Sequence, residues 1–330
     1  MSSSSGPEGG GTSPGFDVAG LEAAEDALKQ EYRVETALGS APTIKVDSGR
    51  KVTALLALPG LLYLGFFLVA PIVMIVLVSF WTQKTGGFDK AWTLDNYDTI
   101  FGSGTYWNQI KQSFFNSLIA TAACLVLALP IAYFLTFKIK TVTNQVALFI
   151  IVLAPFWTSA LIRSVAWQYP LMGRNGAVNQ ILEKIGIIDQ PLDILSFSNF
   201  SVVLAMIQLY ILFMVTPLFF MLGQVDRSAI EASRDLGGNW FRTFKEVIVP
   251  QTMPGVVIGS IFIFVLTMGE YGTVRVIGGN TIPSVGTIVQ SKVEIALNYP
   301  QGAAAAVLLV FALVIGVFVI TRFSNLREDV

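Results

Sequence analysis

The chain has 330 residues, of which 53% are hydrophobic and 13% are charged, and its mean hydropathy is +0.65. Soluble domains average about 25% charged residues, so this composition is typical of a membrane protein with several spans. Acids and bases nearly balance, there is no histidine, and Cys124 is the single cysteine. These counts exclude imidazole catalysis, histidine-ligated metals and an internal disulfide framework, and with them most hydrolases and metalloenzymes.

The first 50 residues differ in composition from the rest of the chain. Residues 1–17 are rich in Ser, Gly and Pro, which is typical of disorder. Residues 18–38 fit either an acidic helix or, as we prefer, a mostly unstructured tail. The tail lacks the basic start and early apolar core of a secretory signal, so we expect the first span to be a retained anchor. We therefore divide the chain into an acidic cytoplasmic tail, residues 1–50, and a membrane domain, residues 51–330.

Six long apolar runs follow, and each approaches the length of about 20 residues that crosses a bilayer core of about 30 Å as a helix. Their hydrophobicity is continuous and does not alternate, so helices are favoured over the strands of a barrel. The sequence therefore predicts an all-α polytopic membrane protein with six transmembrane helices. The spans are predicted at residues 52–81, 113–137, 145–165, 202–223, 254–277 and 303–323. Long loops are predicted at residues 82–112 and 166–200, the second with a short amphipathic helix over residues 177–185.

An even number of spans places both termini on the same side of the membrane. Lys and Arg residues near the span ends are denser on that side than on the other, where they are spread over three longer loops. Because positive residues concentrate on the cytoplasmic side, we expect both termini to be cytoplasmic in a bacterial plasma (inner) membrane. The polar loop over residues 226–250 then lies in the cytoplasm as well.

This polar loop separates two strongly apolar runs, and its charges exclude it from hydrocarbon. Residues 228–236 are predicted to form a short helix that ends at Gly237, since glycine readily adopts the positive φ that stops helices. A second short helix is predicted over residues 240–247, and Pro250 and Pro254 are predicted to set the start of the next span. The loop is therefore expected to be two short helices, parallel to the membrane and joined by a glycine turn.

The residues of this loop resemble the EAA loop of ABC importer permeases. In that family the pattern is Glu-Ala-Ala, three residues, Gly, nine residues, Ile, any residue, Leu and Pro. Four residues match at their spacing and three depart conservatively: Glu231, Ala232, Gly237 and Pro250 match, and Ser233, Val247 and Val249 depart. The resemblance implies a cytoplasmic coupling helix that docks in a groove of a separate ATPase. Four charged residues of the loop are candidates for contacts with the ATPase, and the alternative is that they are only solvated. They are Arg234, Asp235, Arg242 and Lys245.

Further segments resemble the polyamine (spermidine/putrescine) permeases within that family, over about residues 50–323. They are residues 93–97, 116–118, 130–134 and 155–179, and the step Gly269-Glu270-Tyr271. The resemblance implies the fold of a type I ABC importer permease, which forms half of a translocation pathway. It also implies a second permease subunit in a heterodimer, an ATPase dimer, an extracytoplasmic substrate-binding protein and contact with membrane lipid. The long acidic tail departs from the family, and no nucleic-acid partner is expected.

The sequence has no Gly-x-x-x-x-Gly-Lys-Ser/Thr phosphate loop, so this subunit is not expected to hydrolyse ATP. We interpret it as a transport subunit and not an enzyme, with no metal or cofactor of its own and with ATP and Mg²⁺ bound by the partner ATPase. The mechanism that the resemblance implies is alternating access driven by that ATPase. Transport then depends on a difference in substrate affinity between two states of the pathway.

Glu270 is the candidate substrate residue, because an acid inside a span is a functional candidate by default. It lies about 24 Å along the predicted fifth span from Pro254, which places it in the outer half of the membrane. Its carboxylate suits an ammonium group. The alternative is that Glu270 pairs with Arg163 or Arg275 and only stabilises the helix bundle.

Three aromatic residues are candidates for the same substrate path: Tyr271, Trp157 and Trp167. For the tryptophans, a belt of aromatic residues at the membrane interface is the commoner interpretation. The favoured substrate is a polyamine or a related cationic amine, and an opine, an amino-acid derivative, iron, thiamine and an anion stay open. A secondary transporter is a weaker alternative, since it needs no docking loop and usually shows inverted repeats, which we do not find.

Overall fold

The computed structural model describes residues 29, 49–84, 86–279 and 281–325, so the predictions for the acidic tail lie almost wholly outside the described residues. The chain divides into two compact units, Met1–Phe67 and Leu68–Val330. Each unit is described by itself below.

The described residues are mainly helical, and they fold into elements that are numbered here in chain order. The helices of the first part are α1 (Gly49–Leu64), α2 (Ala70–Val78), α3 (Asp95–Gly102), α4 (Gly104–Tyr133), α5 (Val142–Leu153), α6 (Ala160–Ala166) and α7 (Ala177–Lys184). Those of the second part are α8 (Asn199–Tyr210), α9 (Leu212–Gly223), α10 (Arg227–Asp235), α11 (Trp240–Thr243), α12 (Val249–Met268), α13 (Gly272–Gly278), α14 (Val285–Gln290) and α15 (Tyr299–Asn325). Single π-helical turns extend several of them: Gly65–Val69, Phe134–Lys138, Trp167–Met172, Phe244–Ile248 and Ser291–Ile295. Short 3₁₀ turns lie at Ala154–Trp157 and Asp193–Leu195.

A small antiparallel hairpin is an exception to the all-helical prediction. Its strands are β1 (Thr82–Lys84) and β2 (Gly87–Asp89), with Thr82 opposite Asp89. The hydrogen bond and charge of Lys84 hold the pKa of the Asp89 carboxyl below its ordinary value. The hairpin lies in the predicted loop 82–112, where no apolar run indicated regular structure.

Six spans are present among the described residues if each bent pair of helices counts as one span. Four helices are long and apolar enough to cross a membrane alone: Leu56–Val78, Gly104–Lys138, Trp240–Met268 and Tyr299–Arg322. Two further candidates are bent pairs, Val142–Trp157 with Ala160–Tyr169 at 86° and Asn199–Tyr210 with Leu212–Gly223 at 42°. The predicted number of spans therefore agrees with the structure, while several boundaries and the straightness of two spans do not.

The predicted third span, residues 145–165, is not one straight helix. Ala154–Trp157 forms a tight 3₁₀ turn, and Thr158 then adopts an extended backbone that ends the helix. The Thr158 hydroxyl and backbone N–H both donate to the Pro155 carbonyl, at 2.7 and 3.2 Å. Proline cannot donate to the preceding turn, so the chain changes direction next to it.

The predicted fifth span, residues 254–277, is wrong at both ends. The helix begins at Trp240 and runs through the π-helical turn Phe244–Ile248 into α12 without a break. Pro250 lies in the first turn of α12, directly after a turn in which regular bonding is already interrupted. The helix ends at Met268, nine residues before the predicted end, and the chain resumes a helix only at α13.

The core of the second unit lies where α4, α9 and α12 pack against one another. Fully buried residues of all three helices form it, among them Cys124 and Ala128 of α4, Met214 of α9 and Ile263 of α12. Cys124 therefore packs in the core, as its small neighbours in the sequence predict. Close packing of this kind is the main source of helix association in a membrane.

Two glycines of α12 allow α9 to approach closely. A Cβ on Gly255 would lie 2.9 Å from the Pro217 carbonyl oxygen, and one on Gly259 would lie 2.6 Å from the Met214 Sδ. The four-residue spacing of these glycines thus marks a true helix contact.

Gly259→Ala is expected to destabilise the bundle, because the added methyl group meets the Met214 backbone as well as its side chain. Overpacking of this kind typically costs about 1–3 kcal/mol. Thermal unfolding of the purified protein in detergent measures the change. The matched control is Gly223→Ala at the end of α9, where a Cβ has nothing within 4 Å. Equal melting temperatures for the two variants would contradict the close contact.

Candidate functional site

The polar loop between α9 and α12 begins with a well-capped helix. Asp226 precedes α10, and its carboxylate accepts hydrogen bonds from the Ser228 N–H and the Ser228 hydroxyl, both at 2.8 Å. These bonds hold the pKa of Asp226 below its ordinary value. The helix starts at Arg227, one residue before the predicted start, because the aspartate caps it.

Two glycines end α10 in the manner of a Schellman motif. Gly237 has φ of +78°, its N–H donates to the Arg234 carbonyl at 2.9 Å, and the Gly238 N–H donates to the Ser233 carbonyl at 2.9 Å. The predicted stop at Gly237 is thus confirmed. A Cβ on Gly238 would lie 2.6 Å from the Ser233 carbonyl oxygen, so this position also needs glycine.

The predicted second short helix over residues 240–247 is not a separate helix, because α11 continues through the π-helical turn into α12. Side chains fasten this first part of the long helix to the rest of the second unit. The Ser233 and Thr243 hydroxyl groups are 2.9 Å apart and join the two helices of the loop. The Trp240 indole N–H donates to the Tyr133 hydroxyl at 3.3 Å, which ties the loop to the end of α4. Trp240 also stacks on Phe244, with ring centroids 5.3 Å apart. The loop is therefore a defined unit, held at one end of the bundle.

The outer surface of this loop exposes large apolar side chains. Leu236 is 86% exposed and Phe241 is 66% exposed. Most of the predicted coupling residues are exposed beside them, namely Glu231, Ala232, Arg234, Asp235 and Pro250. Ser233 is half-buried. A cleft of about 260 Å³ opens between the loop and the end of α4, lined in part by Glu231 and Arg234. Exposed apolar groups next to charges are typical of a surface that binds another protein.

The four predicted ATPase contacts differ in their surroundings. Arg242 pairs with Glu246 at 3.0 Å, four residues along the same helix. Arg234, Asp235 and Lys245 form no ion pair with a described residue, and all three are exposed. These three charges are therefore available to a partner.

Glu270 lies in a break between two helices and not inside a span. α12 ends at Met268, and α13 begins at Gly272. One carboxylate oxygen of Glu270 accepts from the Thr273 N–H at 2.8 Å, and the other accepts from the Tyr210 hydroxyl. The described residues show no ion pair between Glu270 and Arg163 or Arg275, so that alternative is wrong for this structure.

Polar residues on the third span surround the Glu270 break, and the sequence did not single them out. The buried Ser164 hydroxyl lies 3.2 Å from the Thr273 hydroxyl, which joins α6 to α13. Gln168, one turn later, is 1% exposed, and its side-chain oxygen has no partner among the described residues. We call Ser164, Tyr210, Glu270 and Thr273, which hydrogen bonds connect, the polar cluster. Isolated polar residues within apolar runs were the only signal for it.

The three aromatic candidates do not all reach the polar cluster. Tyr271 follows Glu270 directly and is exposed. Trp167 packs against buried residues that include Val274 of α13. Trp157 is 78% exposed at the bend of the third span, and no ring contact of Trp157 with a described residue is seen. The structure thus favours Tyr271 and Trp167 as neighbours of Glu270, and it leaves Trp157 facing outward.

Known proteins resemble the chain in sequence and in fold. No family model matches it. The chain is 32% identical over 268 residues to the spermidine/putrescine transport system permease protein PotB of Haemophilus influenzae, which covers 80% of this chain and 91% of that protein. It is also 32% identical over 265 residues to PotB of Escherichia coli, and this match covers 80% of this chain and 94% of that protein. A bacterial ABC transporter that imports the acidic polysaccharide alginate has a chain of similar fold, with a TM-score of 0.60 at 16% identity, covering 85% of this chain and 96% of that one.

Proposed function

The chain belongs to the family of spermidine/putrescine ABC importer permeases, and we propose that it forms half of a membrane pathway for a polyamine or a related cationic amine. Sequence identity above 30% over most of both chains shows that the chain belongs to this family. Membership of an ABC family excludes the secondary transporter. The chain is a membrane transport subunit, and the substrate, the partners and the orientation are part of the proposal.

The main support for a cationic substrate is the carboxylate of Glu270, which has no positively charged partner among the described residues. Its carboxylate accepts hydrogen bonds from two neutral donors, Tyr210 and Thr273, and from no described cation. Glu270 is half-buried, and a carboxylate that is partly withdrawn from water is costly unless a positive group compensates it. An ammonium group that passes along the pathway supplies this compensation, and the exposed ring of Tyr271 offers it a cation–π contact.

Energy comes from a separate ATPase dimer that docks on the loop at residues 226–250. The exposed Leu236 and Phe241 and the unpaired charges around them support this docking. ATP and Mg²⁺ are bound by that partner. A second permease completes the pathway as a heterodimer, and a substrate-binding protein delivers the amine from outside. Both termini then lie in the cytoplasm of a bacterial cell, with lipid around the spans.

An uptake experiment tests this function. Cells that lack their own polyamine importers and express the whole transport system are expected to accumulate radiolabelled spermidine or putrescine in a saturable manner. Unlabelled polyamines compete, whereas thiamine, iron chelates and simple anions do not. Saturable uptake of one of the latter compounds with no amine uptake would contradict the proposal.

A second candidate is an amine that also carries a carboxylate, such as an opine or another amino-acid derivative. Arg163 favours it, because its buried Nε has no hydrogen-bond partner among the described residues. A guanidinium binds a carboxylate well. The same competition experiment decides, since an opine-type compound would then displace the label better than spermidine.

A further inference from the structure

A cleft of about 500 Å³ lies at the end of the second unit that is remote from the 226–250 loop. Its walls come from the start of α4, from α13, and from α14 with the π-helical turn that follows it; Tyr106, Arg275, Thr287 and Lys292 are among the lining residues. The other end of α4 holds the loop through Tyr133, and a helix of 30 residues is about 45 Å long. In the proposed orientation this cleft therefore faces the outside of the cell.

The charge of the cleft is positive. Among the described residues that line it, Arg275 and Lys292 are the charged ones, and none is Asp or Glu. Neither base forms an ion pair with a described residue, and the ammonium group of Lys292 lies 5.8 Å from the centre of the Tyr106 ring. Glu294 lies beside the cleft, because it accepts a hydrogen bond at 2.9 Å from Gln290, which lines the cleft. Two bases against this one acid leave a positive balance, and with the hydroxyl and amide groups around them they suit a carboxylate.

The walls of the cleft are in contact with the Glu270 break. The Ser284 hydroxyl, just before α14, donates to the Glu270 backbone carbonyl at 3.2 Å. A Cβ on Gly286 would lie 2.8 Å from the Gly269 carbonyl oxygen, so α14 packs directly on the break. Arg275 lies on α13, whose Thr273 N–H donates to the Glu270 carboxylate. A group that binds in the cleft thus contacts elements that are packed against the Glu270 break.

We propose that this cleft is the docking socket for an acidic side chain of the extracytoplasmic substrate-binding protein. The inference rests on the proposed function, because it needs a binding protein outside the cell. A cationic amine is repelled by Arg275 and Lys292, so the cleft is not its resting place. A protein that carries a polycation needs carboxylates around its ligand site, and carboxylates at the edge of that site match the socket in charge. Docking and the Glu270 break are then joined through α13 and α14.

Charge reversal at the socket tests the proposal. The assembled importer, in nanodiscs of phosphatidylcholine, is titrated with its own binding protein, and the dissociation constant is measured at several salt concentrations. Lys292→Glu and Arg275→Glu are each expected to weaken binding by about tenfold or more, and to reduce its salt dependence. Lys184→Glu is the matched control, because Lys184 is exposed on α7 outside the cleft. An acid-to-lysine change in the binding protein is expected to restore the affinity of Lys292→Glu.

Unchanged binding in both socket variants would overturn the proposal. An effect of the variants that appears only in nanodiscs with added phosphatidylglycerol would overturn it in favour of an anionic lipid headgroup. Size-exclusion chromatography checks assembly, and the milder Lys292→Gln replaces any variant that does not assemble. Docking is measured without transport, so a failure of the socket can be distinguished from a failure of the proposed amine uptake. If the importer takes up amines but the Lys292 and Arg275 variants bind the binding protein normally, the socket proposal is wrong and the proposed function stands.

Discussion

Replacing Gly237 with Val is expected to reduce transport by about tenfold or more while the ATPase of the assembled complex still turns over. Gly237 holds φ of +78° at the end of α10, a conformation that costs a β-branched residue about 1–3 kcal/mol. That cost falls on the turn that orients α10 relative to α11, because the Gly237 N–H closes the motif on Arg234. The ATPase then docks on a loop that no longer transmits its motion. Substrate-stimulated ATP hydrolysis and uptake, measured on the same preparation, report the loss of coupling.

Two variants control this experiment. Gly237→Asn keeps the turn, since asparagine tolerates the left-handed region, and it is expected to transport close to the wild type. Gly223→Val places the same side chain at a glycine with free space around it, at the end of α9. Wild-type transport by Gly237→Val would refute the role of the loop in coupling.

Glu270→Gln is expected to reduce polyamine uptake by about 10- to 100-fold with the complex intact. Hydrogen bonds to a charged group contribute about 1.5–3 kcal/mol, which corresponds to that range. The amide keeps nearly the same shape, and its oxygen still accepts from the Thr273 N–H, so the helix break is retained. The loss therefore reports the negative charge and not the fold.

The comparison with Tyr210→Phe separates charge from hydrogen bonding. This variant removes the hydroxyl that donates to Glu270 but leaves the carboxylate charge in place. We expect a smaller effect on uptake than that of Glu270→Gln. Unchanged uptake in Glu270→Gln, with normal amounts of assembled complex, would remove Glu270 from the substrate path.

The loop was predictable because its structure is set by near neighbours in the sequence. Gly237 and the residues that cap the two short helices act within a few positions, and the chain there follows their local preferences. The glycine stop is present as predicted, whereas the second short helix is the beginning of the helix that runs to Met268. The start of the next span was missed, because two prolines suggested a boundary that a π-helical turn removes.

The surroundings of Glu270 were not predictable from the sequence. Tyr210 is 60 residues away, and the hydroxyl pair of Ser164 and Thr273 spans 109 residues. No spacing rule connects such positions. Hydropathy also reports only what lies in hydrocarbon, so the polar first turns of α4 were placed in a loop although they continue the same helix. The 42° bend at Ile211 lies within one continuous apolar run, which gives no sign of it.

The unbroken helix from Trp240 to Met268 gives the molecule a lever arm. Its 29 residues span about 43 Å, from the indole that holds the loop to the residue just before the Gly269 break. A rod of this length that tilts by about 10° carries its far tip through about 7 Å, more than one helical turn. A small displacement at the 226–250 loop is thereby magnified at the other end of the helix, and the Glu270 break lies just beyond that end.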